Sequence, residues 1–132
     1  MGNPNRISHF VDEANSVLIL RIVGDIPCDL FVGKLRELRA QGEAARIHNR
    51  LIDMRHFTGH FDFSGIEVYA KERSVAVTGS TPSSFVAIVS VDPLDRARLP
   101  TVRGLFPNDS LCHFFDYDEA LDWLRRSASG GE

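Results

Sequence analysis

The sequence predicts an α/β fold built on a single mixed, mostly parallel β-sheet of about five strands with about four helices. The predicted elements follow the order β-β-α-β-α-β-α-β-α, and strands that alternate with helices pair in parallel through right-handed crossovers. The chain has 132 residues, of which 43% are hydrophobic and 25% are charged, and this composition is ordinary for a soluble globular domain. We therefore expect one domain spanning residues 1–132.

Two strands open the chain and add an antiparallel edge to the sheet. Residues 7–12 alternate weakly between apolar and polar, and Ala14 and Asn15 indicate a turn. Residues 16–24 form a β-branched, mostly apolar run, which is typical of a strand buried on both faces. The two runs are predicted to pair as a hairpin, and residues 25–27 end the second strand.

The first helix is predicted over residues 29–41, because apolar side chains recur there at the helical spacing and Gly42 supplies a stop. The apolar positions are Leu30, Phe31, Leu35 and Leu38. Residues 50–56 then form a short strand, and a polar and aromatic loop is expected over residues 56–62.

A second helix follows this loop, with Asp62 or Ser64 as its candidate cap. Its apolar positions include Ile66, Val68 and Tyr69. Residues 78–84 are rich in Ser, Thr, Gly and Pro and indicate a turn. Residues 85–89 form a continuous apolar run and are predicted to be a buried strand.

The third helix opens at Asp92 and Pro93, which match the preferences for the cap and the first helical position. Pro100 is expected to break or kink this helix, because proline has no N–H and its ring clashes with the preceding turn. Residues 111–115 form the last predicted strand.

The closing helix begins with a capping box, in which Asp116 is the cap and Glu119 lies three residues later. It is predicted to turn four apolar side chains inward. These are Ala120, Leu121, Trp123 and Leu124. Residues 127–132 are expected to be a frayed, disordered tail.

The charge and cysteine content bear on partners and compartment. Lys and Arg number 15 against 18 Asp and Glu, for a net charge of -3, which argues against nucleic-acid binding. Cys28 and Cys112 are expected to be small buried hydrophobes in a reducing cytosol, and one disulfide between them is the alternative. No signal peptide or spanning segment is recognised, so we expect a cytoplasmic protein without a membrane span.

Asp53 and two histidines are the titratable candidates for a site. Asp53 lies near the carboxyl end of a predicted parallel strand, the edge where ligands bind in open α/β sheets. We favour the alternative that it caps the next loop, because carboxylates readily accept backbone N–H groups. His56 and His60 are four residues apart, but the His-Glu-x-x-His pattern is absent. No metal and no cofactor is therefore expected.

Three phenylalanines in and beside the expected loop are the most unusual surface feature. Leaving Phe57, Phe61 and Phe63 in water is costly, so they must pack on the core, line a pocket or form an interface. Pocket or interface is the preferred functional hypothesis. The candidate residues for binding a ligand or partner are Asp53, Phe57, Phe61, Asp62, Phe63, Ser64 and Gly65.

Four stretches, in order along the chain, match motifs of one known family. Residues 17–26 read Val-Leu-Ile-Leu-Arg-Ile-Val-Gly-Asp-Ile, and residues 51–57 read Leu-Ile-Asp-Met-Arg-His-Phe. Residues 61–66 read Phe-Asp-Phe-Ser-Gly-Ile, and residues 115–124 end in Glu-Ala-Leu-Asp-Trp-Leu. Together they resemble the STAS domain of anti-sigma-factor antagonists, in particular the SpoIIAA-like group of small bacterial proteins.

The resemblance implies a non-catalytic regulatory or interaction domain that binds a protein partner or a second copy of itself. Binding is expected through the loop over residues 57–67 and the helix that follows. In the antagonists, the first serine of an Asp-Ser-Ser-Gly motif is phosphorylated, but the matching residue here is Phe63, which has no hydroxyl. Ser64 matches the second serine, and Ser64 or Thr58 is the candidate substitute.

Two other functions stay open. SpoIIAA-like proteins share their architecture with lipid-binding CRAL-TRIO domains. The second hypothesis is therefore that the three phenylalanines line a pocket for a small apolar ligand. A hydrolase that uses Asp53, His56 or His60 is the third. Neither a Gly-x-Ser-x-Gly motif nor a phosphate-binding loop is present, so we do not expect an enzyme.

Overall fold

A mixed β-sheet lies at the centre of the fold. The structure is a computed structural model that describes residues 5–40, 49–59, 63–76, 84–107 and 109–129. Its elements, in chain order, are β1 (Arg6–Asp12), β2 (Val17–Gly24), α1 (Cys28–Ala40), β3 (Asn49–Phe57), α2 (Phe63–Ala76), β4 (Phe85–Val89), α3 (Pro93–Leu105), β5 (Ser110–Phe114) and α4 (Tyr117–Ser129).

The strands lie side by side in the order in which they occur in the chain. β1 and β2 form an antiparallel hairpin, in which Arg6 lies opposite Val23 and Asp12 lies opposite Val17. β2, β3, β4 and β5 pair in parallel. Within the described residues, the predicted element order and the mixed, mostly parallel sheet of five strands with four helices are confirmed.

The two faces of the sheet are covered differently. One face carries Leu18, Leu20 and Ile22 of β2, which pack with buried residues of α1 and α2, and α3 lies on the same side. We call it the three-helix face. The other face carries Val17 and Ile19 of β2 and packs against α4, and we call it the α4 face. Because side chains alternate along a strand, the apolar run of β2 supplies both cores.

Two predicted helix caps are confirmed by their hydrogen bonds. Asp92 has an extended backbone, and its Oδ1 accepts the backbone N–H of Leu94 at 3.0 Å. Asp116 Oδ2 accepts the backbone N–H of Glu119 at 2.9 Å. Each carboxylate satisfies an N–H group that has no partner within its helix. For α2, the candidate cap Asp62 lies outside the described residues, and the alternative Ser64 is not the cap, because α2 begins at Phe63 and already contains it.

Several predicted boundaries were wrong. The expected break at Pro100 does not occur: α3 continues through it to Leu105, and the neighbouring Leu99 is buried and holds the helix on the sheet. β3 extends to Phe57, so the expected loop begins later. α4 extends to Ser129, three residues into the expected tail. Ser16 leaves β2 because it takes φ +55° in the hairpin turn.

Candidate functional site

A cavity of about 630 Å³ lies between the three-helix face and helices α1, α2 and α3. Apolar side chains of β3, β4 and β5 form its floor, and the helices form its walls. The floor residues are Ile52, Met54, Val86, Ile88 and Leu111, and the apolar wall residues include Phe31, Leu35, Ile66, Tyr69, Leu99, Val102 and Phe106. This volume and apolar lining are typical of small-molecule sites.

The cavity opens to solvent next to the carboxyl end of β4. Val91 and Leu94 both line it, yet their side chains are 65% and 55% exposed. Residues that line a cavity and also contact water lie at its mouth. The opening is therefore at the edge of the sheet where open α/β folds bind ligands.

A bulge in β3 brings Phe57 to this cavity. Arg21 pairs with Asp53 and Val23 pairs with His56, so β3 spans three residues where β2 spans two. The additional residue shifts the alternation of side chains along the strand. Phe57 therefore faces the same side as Met54, where it lines the cavity and packs against the core.

The candidate site residues named from the sequence are not all brought together. Phe57 lies in the cavity, whereas Asp53 lies on the α4 face. Ser64 is exposed in the first turn of α2, and a Cβ atom at Gly65 would approach Cys28 Sγ to 2.9 Å, so this glycine lets α2 pass close to α1. Phe61, Asp62 and the side chain of Phe63 lie outside what the structure describes.

Asp53 is the buried acid of a three-residue cluster. Its side chain is fully buried, and it is bound by two arginines that are each about one-third exposed. Arg55 donates from Nε to Oδ1 and from Nη2 to Oδ2, both at 2.9 Å, and Arg21 Nε donates to Oδ2 at 3.1 Å. Asp53 Oδ1 also accepts the backbone N–H of Arg55 at 3.2 Å, so Asp53 does bind a backbone donor, but within β3 rather than in the next loop.

These hydrogen bonds keep Asp53 ionised. Burial alone would raise its pKa, but the side-chain and backbone N–H groups of Arg55, its charge and the bond from Arg21 outweigh burial and lower the pKa of Asp53. The guanidinium of Arg55 also lies over the ring of Tyr117 at 4.7 Å. A carboxylate saturated in this way is a structural acceptor and a poor general base.

A second polar cluster, which the sequence analysis missed, adjoins the cavity. Ser90 and His113 are 2% and 4% exposed, and Ser90 Oγ lies 2.8 Å from His113 Nε2. Arg96 Nε donates to His113 Nδ1 at 3.2 Å, and Arg96 Nη2 donates to the carbonyl of His113 at 3.0 Å. Ser90 itself lines the cavity.

The direction of these hydrogen bonds shows that the cluster is not a nucleophile–base pair. Guanidinium groups only donate, so His113 Nδ1 must accept, and the ring proton is on Nε2. Burial, and next the charge of Arg96, lower the pKa of His113 and keep the ring neutral. His113 therefore donates to Ser90 and has no lone pair on Nε2 with which to take the proton of Ser90.

The described residues do not assemble the metal site, the histidine pair or the disulfide that the sequence left open. They contain no group of three or more His, Cys, Asp and Glu residues placed to hold a metal ion. His60 lies outside them, and His56 is exposed on β3. Cys28 and Cys112 form no disulfide, but they are half-buried, so the expectation that both are buried was wrong. No helix in the described ranges has the length and apolar character needed to cross a membrane.

Comparison with known proteins establishes the fold. No family model and no curated protein sequence matches the chain. A solved structure that resembles it is that of an uncharacterized protein from the DUF3478 family, with a SpoIIAA-like fold, from Shewanella loihica PV-4. The TM-score is 0.60 with 18% identity, over 94% of this chain and 98% of that chain. The predicted SpoIIAA-like fold is confirmed, and fold likeness alone does not assign function.

Proposed function

We propose that the chain is a non-catalytic domain that binds a small, largely apolar ligand in the cavity of the three-helix face. The observation that supports this proposal is the cavity itself, about 630 Å³ in volume and open beside Val91 and Leu94. Protein interiors leave few voids larger than a water molecule. An apolar space of this size with a few polar groups is the form that small-molecule sites take.

The polar clusters also favour binding over catalysis. Asp53 faces away from the cavity and is held by two arginines. Ser90 and His113 are paired with the histidine as the donor, which leaves no activated nucleophile at that end. Neither cluster provides the nucleophile and base that hydrolysis requires.

A neutral fluorescent probe, N-phenyl-1-naphthylamine, tests the proposal. It should bind the wild-type protein, and Val86→Trp should weaken binding at least about tenfold, because a larger side chain on the cavity floor occupies the ligand's volume. Val68→Trp makes the same change on α2 at a side chain that is 54% exposed and does not line the cavity. This control should bind the probe like the wild type.

The measurement is a fluorescence titration, accompanied by native mass spectrometry of the protein as purified. A well-folded wild-type protein that neither enhances the probe's fluorescence nor carries a retained molecule contradicts the proposal. Equal probe binding by Val86→Trp and the wild type contradicts it as well, because the probe would then occupy another place.

A regulatory domain that associates with a second copy of itself is the second candidate, and the sequence of β1 favours it. Within the described residues, β1 is an edge strand and pairs with β2 alone. In an antiparallel self-pair centred on His9, Arg6 lies opposite Asp12 of the other copy, and Ile7 lies opposite its Val11. The strand is therefore complementary to itself in charge and in apolar character, as a two-fold interface requires.

This candidate makes a prediction about cross-linking. In a background with both native cysteines changed to serine, His9→Cys should form a disulfide-linked dimer on mild oxidation, since position 9 faces itself across the axis. Phe10→Cys should not, because its two copies lie on a diagonal, beyond the about 7 Å Cα separation that a disulfide tolerates. Non-reducing gels and sedimentation velocity measure this; a monomer in which His9→Cys cross-links no more readily than Phe10→Cys excludes the β1 pair.

The phosphorylation that the resemblance implies remains a prediction for Ser64. Phe63, at the position of the usual acceptor, begins α2, and Ser64 is exposed in its first turn. An exposed hydroxyl in a first turn is accessible to a kinase, and a phosphate there is favoured by the helix dipole. Thr58 lies between β3 and α2, and its backbone N–H donates to the carbonyl of Gly24 at 2.9 Å.

A further inference from the structure

We infer that the cavity selects ligands that present an uncharged carbonyl oxygen to Ser90. This inference rests on the proposed function of the cavity as a small-molecule site, and it adds the chemical class of the ligand's polar end. The supporting observations are the direction of three hydrogen bonds and the burial of Ser90, which makes a charged group next to it costly.

The ring proton of His113 is on Nε2. Arg96 Nε, 3.2 Å from Nδ1, cannot accept a hydrogen bond, so Nδ1 accepts and Nε2 carries the proton. Nε2 lies 2.8 Å from Ser90 Oγ and donates to it. Arg96 is fixed in place, because it also donates to the carbonyl of His113 and lies over the ring of Phe115 at 4.3 Å.

The hydroxyl group of Ser90 is a buried hydrogen-bond donor. Since Oγ accepts from His113, this hydrogen needs a separate acceptor, and no residue in the described part of the chain provides one. The side chain is 2% exposed and lines the cavity. A buried donor left without an acceptor is costly, and polarisation through Arg96 and His113 strengthens it as a donor. A ligand oxygen in the cavity supplies the missing acceptor.

A neutral oxygen acceptor suits this end of the cavity better than a charged one. Asp92 and Asp95 line the cavity at the start of α3, next to Ser90 along the chain. A carboxylate at this end would lose its hydration in exchange for one hydrogen bond from a neutral hydroxyl, because the Nε and Nη2 donors of Arg96 are already used by His113. That is costly for a buried charge, whereas a ketone, ester or amide carbonyl accepts the same hydrogen bond with no charge to bury. Arg98 lines the cavity one turn further along α3. The preferred ligand therefore has an apolar body and a neutral carbonyl next to Ser90.

Two naphthalenes of similar size test this inference. Displacement of N-phenyl-1-naphthylamine should show that 2-acetylnaphthalene binds the wild-type protein roughly 3- to 10-fold more tightly than 2-ethylnaphthalene, the range expected for one hydrogen bond. Ser90→Ala should bring this ratio to about one. 2-Naphthoic acid at neutral pH should bind more weakly than 2-acetylnaphthalene.

A variant that keeps Ser90 tests whether Arg96 and His113 set the direction of its hydrogen bond. In Arg96→Met, His113 Nδ1 loses its donor, so the ring can carry its proton on Nδ1 and accept from Ser90 through Nε2. The preference for the acetyl compound should then fall, although the hydroxyl is still present. Arg103→Met is the matched control, because Arg103 is another α3 arginine that donates to a backbone carbonyl of β5, that of Leu111 at 2.9 Å, but it neither contacts His113 nor lines the cavity. This variant should keep the wild-type ratio.

The outcomes separate this inference from the function on which it rests. If neither naphthalene displaces the probe and the probe itself does not bind, the proposed function fails. If both compounds bind the wild type equally, or if folded Ser90→Ala keeps the preference, the Ser90 assignment is overturned while the cavity remains a ligand site. Tighter binding of 2-naphthoic acid overturns the choice of a neutral carbonyl. Thermal melts confirm that each variant is folded.

Discussion

Replacing Arg55 by methionine is expected to lower the free energy of unfolding by about 3 kcal/mol, the lower end of the range for breaking a buried ion pair. Asp53 is fully buried and cannot recover hydration when its bidentate partner is lost. Arg21 remains and keeps one hydrogen bond, which limits the loss. The contact between Arg55 and the ring of Tyr117 is lost as well.

Arg36→Met is the matched control for burial. Arg36 also forms a bidentate pair, with Nε 2.8 Å and Nη2 2.7 Å from the two carboxylate oxygens of Glu72. Both side chains of this pair are exposed to water, so its loss should hardly move the urea midpoint. If the two variants lose similar stability in urea unfolding, geometry rather than burial decides the value of these pairs, contrary to our expectation.

The difference between wild type and Arg55→Met should also depend on pH in a defined direction. The pKa of Asp53 is lowered in the folded protein. Its contribution is therefore fully present above the unfolded value of about 3.9 and is lost as pH falls through the lower folded pKa. The stability gap between the two proteins should shrink as the pH falls below about 4. A gap that grows on acidification would show that Asp53 is not the ionised partner.

Leu124→Ala is expected to lower the free energy of unfolding by about 3 kcal/mol, within the range for a buried leucine. Leu124 is fully buried, and its helix α4 covers the α4 face with Ala120 beside it and Leu51 and Ala87 on the sheet. The lost methyl groups leave a cavity that the surrounding strands cannot close. Equilibrium urea unfolding measures the change.

Leu30→Ala gives the comparison for this second substitution. Leu30 is 53% exposed on α1, so the same truncation should change the free energy of unfolding by less than about 0.5 kcal/mol. Equal losses at Leu30 and Leu124 would contradict the assignment of α4 to the core.

Local sequence signals were sufficient for most of the fold. The apolar run of β2, the Asp92-Pro93 start of α3 and the Asp116 cap each depend on residues that are close in the chain. Those signals act through backbone hydrogen bonds and helical or strand periodicity. The break expected at Pro100 does not occur, because burial of the neighbouring Leu99 stabilises the helix on both sides of it, and that packing is not visible in the local sequence.

The site was harder to predict because it depends on which strands become neighbours. Asp53 was placed at a strand edge, but its partner Arg21 comes from β2, 32 residues earlier. Ser90 and His113 are 23 residues apart and meet because β4 and β5 pair in parallel. The one available signal was that Ser90 directly follows a buried strand. The bulge that turns Phe57 into the cavity could not be predicted, because the residues of β3 carry no sequence signal for it.

Under the proposed function, the cavity would also link the persistence of this protein in a cell to the ligand that occupies it. A ligand that binds only the folded chain adds stability that grows with its concentration, by about 2.7 kcal/mol at one hundred times its dissociation constant. Loaded molecules therefore unfold less often and offer fewer openings to proteases than empty ones. The amount of the protein that survives would then follow the supply of its ligand, so abundance itself becomes a readout of that supply.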